Sequence, residues 1–124
     1  MSIIVNAIIL NNNKVLTVKQ RNGIYNDMFG LPGGHVEKNE TNETALIREV
    51  KEETNCEIKI IAFKGIVANN KNECYIFSAQ IDKQFKFIES DEVLEIKWLA
   101  IPDFIENLKK HDVENWRLLL PMLK

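Results

Sequence analysis

One stretch constrains this chain more than any other. The loop Gly30-Leu31-Pro32-Gly33-Gly34 leads into residues 41 to 54, a run with few helix breakers that is rich in Glu, Ala, Leu, Arg and Lys. That composition predicts a helix with Thr41 as its N-cap. At about 100° per residue, Glu49, Glu52 and Glu53 fall within an arc of roughly 100°. Leu46, Ile47 and Val50 fall on a neighbouring arc that turns to the core, so the carboxylates border the buried side.

Such a helix is costly as mere scaffolding. Like charges at i,i+4 cost about 0.2–0.5 kcal/mol when exposed, and more where water is partly excluded. A lone ExxE or EE is usually a solvated helix face, here with Lys51 and Arg48 to relieve the repulsion. These glutamates do not stand alone. The double glycine supplies backbone that a ligand can approach closely, and Glu40 sits at the loop-to-helix junction. All-oxygen donors without His or Cys select hard ions such as Mg²⁺ or Mn²⁺ over zinc, and Mg²⁺ prefers to be shared between carboxylates and substrate phosphates.

Around this stretch, Ile3 to Leu10 and Val15 to Gln20 read as a hairpin through Asn11-Asn12-Asn13, with Leu16 and Val18 on one face and Thr17, Lys19 and Arg21 on the other. Residues 22 to 40 form a structured loop with embedded apolar residues. Glu57 to Phe63, Glu73 to Ile81 and Val93 to Leu99 have strand composition, and Ile101 to Lys110 and Val113 to Leu123 look helical. The order β-β-loop-α-β-β-β-α predicts an α/β sandwich with a mixed sheet. At 124 residues, 1–124 reads as a single domain.

Net charge of −2 argues against a nucleic-acid polymer as partner. A small polyphosphate remains compatible if cations intervene. Cys56 and Cys74 lack CxxC spacing and read as half-buried small hydrophobes in a reducing compartment. Met1-Ser2-Ile3-Ile4-Val5 has no basic region or cleavage site, and no apolar run approaches the roughly 20 residues that span a bilayer. The expectation is a cytoplasmic protein without a membrane partner.

Gly34, Glu40, Arg48, Glu49, Val50, Glu52 and Glu53 stand at the spacings of a known pattern: Gly, five residues, Glu, seven residues, Arg-Glu, an aliphatic residue, any residue, Glu-Glu. The chain thereby resembles the Nudix hydrolases of the MutT-like kind. Chance would produce the six fixed charged or glycine positions at about 10⁻⁷ to 10⁻⁸ per start. The pattern covers residues 34 to 56, and it departs at its end, where Asn55 replaces a glycine and Cys56 an aliphatic residue. Asn tolerates the left-handed conformation expected at a helix end, and Cys56 can still pack.

The resemblance implies a Nudix-type α/β/α sandwich with a catalytic loop-helix and a C-terminal helix. It implies hydrolysis of the pyrophosphate bond in a nucleoside diphosphate derivative by in-line attack of a metal-activated water. The leading expectation is a (deoxy)nucleoside triphosphate cut to the monophosphate and pyrophosphate. ADP-ribose, a dinucleoside polyphosphate or a nucleotide sugar are alternatives, as is a non-catalytic nucleotide-binding domain. Implied ligands of Mg²⁺ or Mn²⁺ are Glu49, Glu52, Glu53 and the Gly33 carbonyl. Glu49 also stands to orient or deprotonate the water, Arg48 to pair with a helix carboxylate, and Glu40 to support the junction. Family members often place another metal-binding glutamate near a later strand, a place Glu92 fits, with Glu89, Asp91 and Glu95 as competitors. Lys19 and Arg21 are candidate phosphate grips, the Gly34 backbone can meet substrate, and His35 suits a loop hydrogen bond better than magnesium. Tyr25, Phe29 and Asn115 are candidates for a base pocket. Monomer and homodimer are both open.

Overall fold

The computed structural model describes residues 2–21 and 28–124. Strands β1 (Ser2–Asn11), β2 (Lys14–Gln20), β3 (Phe29–Gly30) and β4 (Gly33–His35) precede helix α1 (Asn42–Thr54). Then come β5 (Cys56–Ala68), β6 (Asn72–Gln84), β7 (Val93–Ala100), helix α2 (Ile101–Lys110) and a 3₁₀ helix (Trp116–Leu123). The strand order is β3-β2-β1-β6-β5, with β4 also on β1 and β7 also on β2. The β1–β6 pairing is parallel and the other pairings are antiparallel, so the sheet is mixed as expected.

The alternation of β1 explains its largely apolar sequence, in which Asn6 alone interrupts the run from Ile3 to Leu10. Val5, Ala7 and Ile9 pack with Leu46 and Val50 of α1, whereas Ile8 packs with Phe104, Leu108, Leu119 and Leu123 of the C-terminal elements. Both faces are therefore covered, and the result is an α/β/α sandwich. The same coverage extends to β2, whose Val15, Leu16, Thr17 and Val18 are all buried, so both faces of its alternation are covered. Thr17 is accommodated by donating its hydroxyl to the Lys97 carbonyl at 2.6 Å.

Several elements differ from expectation, and the stretch read as a loop at 22–40 contains the short strands β3 and β4. Strands β5 and β6 run well past Phe63 and Ile81, because they pair with each other as a long antiparallel hairpin. The final segment is a 3₁₀ helix instead of an α-helix from Val113; Asn115 takes the left-handed region at φ 61°, and Pro121 lies inside the segment.

Helix α1 begins where expected, with the Thr41 side chain accepting from the Thr44 amide at 3.1 Å. Asn55 ends it at φ 58°, ψ 31°, and its amide side chain donates to the Lys86 carbonyl at 2.8 Å. Asn thus serves where glycine is expected, with a hydrogen bond that glycine lacks. Asn55→Gly is expected to leave stability nearly unchanged, whereas Asn55→Ala should cost about 1–2 kcal/mol. Urea unfolding midpoints of the two variants check this.

Candidate active site

The buried stripe of α1 is Ala45, Leu46, Val50, Glu53 and Thr54. Ile47 is not in it; at 44% exposure it lies on the solvent side. With Leu46 as reference, Val50 lies about 40° one way and Glu53 about 20° the other, while Ile47 lies about 100° off. Glu53 therefore stands in the middle of the apolar stripe, not on its border. Glu49 is about 60° from Leu46 and Glu52 about 120°. Exposure follows that order: Glu53 is buried, the Glu49 side chain is 15% exposed and that of Glu52 56%.

The double glycine lies against these carboxylates. The Gly33 amide donates to Glu53 Oε1 at 2.7 Å. A Cβ on Gly34 would fall 2.5 Å from Glu49 Cδ and within 2.7 Å of both its oxygens. Gly33 itself is pressed on β1, where a Cβ would come within 1.9 Å of the Val5 carbonyl oxygen. The glycines are thus required by close approach, on one side to a strand and on the other to Glu49.

Arg48 ties the cluster together. It holds Glu40 bidentately, Nε to Oε2 at 2.7 Å and Nη2 to Oε1 at 3.0 Å. Its Nη1 donates to Glu49 at 3.0 Å and to Glu52 at 3.3 Å, and Nη2 reaches the His35 carbonyl at 3.2 Å. Glu40 in turn accepts from the Glu37 amide at 2.9 Å, which closes the loop before the helix. Hydrogen bonds from Arg48 and the Glu37 amide hold the Glu40 carboxyl below its ordinary range.

The deeper carboxyls shift the other way. Burial, chiefly, pushes Glu53 up to about 8, with the charges of Glu49, Glu92 and Glu52 adding to the shift and the Gly33 amide opposing it. Burial also raises Glu49, against the Arg48 hydrogen bond and with the charges of Glu52 and Glu92 adding. Both carboxyls thus feel Glu92, which connects the turn before β7 to the helix. Of its competitors, Glu95 pairs with Lys19 at 3.9 Å and Glu89 pairs with Arg21.

The remaining candidates are spread more widely. Lys19 approaches the Phe29 ring from one side at 5.7 Å and Lys97 approaches it at 5.6 Å. Sequence reasoning missed Asn107, whose side chain accepts from the Phe29 amide at 3.1 Å and donates to the Phe29 carbonyl at 2.6 Å. A contact across that sequence distance leaves no local signal. Asn115 lines a cavity of about 330 Å³ together with Asn6, Gln20, Cys74, Phe104 and Leu119, and it donates to the Ala68 carbonyl at 2.7 Å. Burial pushes the Cys74 thiol up to about 11, so it stays protonated. Tyr25 lies outside the described residues.

Among the described residues, no three Asp, Glu, His or Cys side chains are already closed around one point. The donor set nevertheless fits a hard divalent ion. It is all oxygen, and among the described residues Glu53 is a buried carboxyl with a single backbone donor and no countercharge. No helix among the described residues is long and apolar enough to cross a membrane.

An α/β/α sandwich that sets a glycine loop against a carboxylate-bearing helix defines the class of protein. The chain belongs to the NUDIX domain family, whose pattern matches residues 2–120. It is 40% identical over 68 residues to the ADP-ribose pyrophosphatase of Methanocaldococcus jannaschii, covering 55% of this chain and 40% of that protein. The chain thus spans about two fifths of that relative's length. A Bacillus subtilis protein with the provisional name 8-oxo-dGTP diphosphatase is 25% identical over 116 residues, covering 90% of this chain and 76% of its own. The structure of a NUDIX hydrolase from Nitrosomonas europaea superposes with a TM-score of 0.81 at 21% identity, covering 98% of this chain and 84% of that one, which shows the shared fold.

Proposed function

We propose that this chain is a divalent-metal-dependent hydrolase of the phosphoric anhydride bond in a nucleoside diphosphate derivative. One observation carries the reading. A helix carries three carboxylates at graded depth beside a double glycine, and the deepest of them lacks a countercharge among the described residues. Nudix hydrolases generally use divalent metal ions, and the relatives' names include a pyrophosphatase and a diphosphatase.

Glu49, Glu52, Glu53 and the Gly33 carbonyl would hold the cation, with Glu92 joining from the turn before β7. Bound there, Mg²⁺ or Mn²⁺ would neutralise phosphate oxygens and lower the pKa of water. Glu49 would orient the attacking water and take its proton, a role that its burial-raised pKa and its place against Gly34 support. Arg48 fixes the carboxylates by holding Glu40, Glu49 and Glu52 at once. The Gly34 backbone, without a side chain, lets the Glu49 carboxylate lie close against the loop, where substrate would meet both.

The substrate we favour is a (deoxy)nucleoside triphosphate, cut to the monophosphate and pyrophosphate. The relationship to a protein named for 8-oxo-dGTP supports it, and the 330 Å³ cavity is of a size for the nucleoside end. ADP-ribose is the second reading, favoured by the 40% identity to the archaeal ADP-ribose pyrophosphatase.

The test is phosphate or pyrophosphate release over (d)NTPs, ADP-ribose and dinucleoside polyphosphates, with Mg²⁺ or Mn²⁺. Glu49→Gln is expected to lower turnover about 10²- to 10⁴-fold while the circular dichroism spectrum stays unchanged. Near-normal turnover in that variant would remove Glu49 from the chemistry. No hydrolysis across the whole panel would overturn the enzyme reading.

A further inference from the structure

We propose that Arg21 is a positioning residue that locks the turn before β7 and so aims Glu92 at the α1 carboxylates, instead of gripping substrate phosphate. This deepens the proposed function, since it rests on Glu92 helping to hold the cation.

The pairing of β2 with β7 steps by one residue just before this turn. Lys19 faces Glu95, but Gln20 faces Val93, so Leu94 is the extra residue of a bulge in β7. A one-residue shift turns every side chain beyond it to the other face. In continuous register Arg21 would face Val93; with the bulge its amide bonds the Glu92 carbonyl at 2.9 Å. Where Glu92 points thus depends on keeping the bulge in place.

The Arg21 side chain supplies the lock. Its Nε donates to the Ser90 carbonyl at 3.3 Å, and its guanidinium pairs with Glu89. Ser90 organises the turn in turn: its hydroxyl accepts from the Glu92 amide at 3.3 Å and the Val93 amide at 3.0 Å, and its own amide donates to the Val93 carbonyl at 3.0 Å. One arginine thereby reaches Glu89, Ser90 and Glu92 together. The guanidinium is already engaged by a carboxylate and a carbonyl, which leaves it poorly suited to a mobile phosphate. The turn that Arg21 holds thus carries the Glu92 carboxylate that the proposed function adds to the ligands on α1.

The experiment compares the full chain with Arg21→Gln, Arg21→Lys, Glu92→Gln and the Arg21→Gln/Glu92→Gln double variant. Two quantities are read: Mn²⁺ binding without nucleotide, from the electron paramagnetic resonance signal of free Mn²⁺, and kcat and KM at saturating Mn²⁺ on the nucleotide that the unaltered protein hydrolyses best. Arg21→Gln is expected to weaken Mn²⁺ binding about three- to tenfold with nucleotide KM changed less than about twofold, because a largely exposed pair exerts modest leverage. Arg21→Lys, which keeps the charge and loses the fork, should fall between. In the Glu92→Gln background the Arg21→Gln change should add less than about twofold, since both act through one carboxylate. A raised KM with unaltered Mn²⁺ binding would make Arg21 a phosphate contact and overturn the proposal. So would additive losses, or an Arg21→Gln protein that binds Mn²⁺ normally while Glu92→Gln does not. If Glu92→Gln itself binds Mn²⁺ normally, the Glu92 assignment has failed, and the positioning role falls with it.

Discussion

Glu53→Gln is expected to make the cation-free protein more stable at alkaline pH while abolishing most of its cation-dependent turnover. Burial raises the folded-state pKa of Glu53 from an ordinary 4.5 to about 8. Below 4.5 the carboxyl is protonated in both states and costs nothing. Between 4.5 and 8 the folded protein keeps a proton that the unfolded chain releases, so stability falls as pH rises, at up to about 1.4 kcal/mol per pH unit. Above 8 the loss levels off. Glutamine keeps an oxygen for the Gly33 amide and has no charge to bury, so the share of the slope due to Glu53 should vanish in the variant. Thermal unfolding in EDTA at pH 5, 7 and 9 checks this: the unaltered protein should lose melting temperature across the series relative to Glu53→Gln. Added Mn²⁺ should restore the unaltered protein at pH 9 and leave the variant unmoved. Turnover at low Mn²⁺ should drop about 10²-fold or more. Parallel pH profiles with and without Mn²⁺ would contradict the assignment of Glu53 as the buried cation ligand.

The two glycines should fail in different ways. Gly33→Ala puts a methyl 1.9 Å from the Val5 carbonyl oxygen and 2.8 Å from the Asn6 Cα, both parts of a central strand that cannot yield. The cost should reach about 3 kcal/mol or more, seen as a collapse of the urea midpoint or loss of soluble protein. Gly34→Ala first meets the end of the Glu49 side chain, which can swing aside. That variant should unfold near the normal midpoint and yet lose turnover about 10-fold or more, because the carboxylate has been displaced. Equal losses of stability would mean that Gly34 serves the fold and not Glu49.

The sequence showed the loop, the helix and the carboxylate spacing because all three are local. Thr41, the helical run and Asn55 act within a few residues of where they stand. The depth of Glu53 was harder to see. Counting Ile47 into the apolar arc displaced its centre, and only the packing of Leu46 and Val50 beneath β1 shows that the stripe runs through Glu53. The Lys19 and Arg21 partners were invisible for a different reason: both carboxylates come from the β7 region, and the bulge at Leu94 that sets their register has no marker such as glycine. The 3₁₀ ending was foreshadowed by Pro121, whose ring the α-helical reading passed over.

The clamp of Asn107 on Phe29 has a consequence for anyone trimming this chain. Arg21 is fastened to the turn at Ser90, and Phe29 is fastened to α2, so the chain that leaves β2 and the chain that enters β3 are both moored to its last third. A shortened version ending after β7 would keep all three helix glutamates and still release one of those moorings. Its defect would surface near the glycine loop, far from the cut.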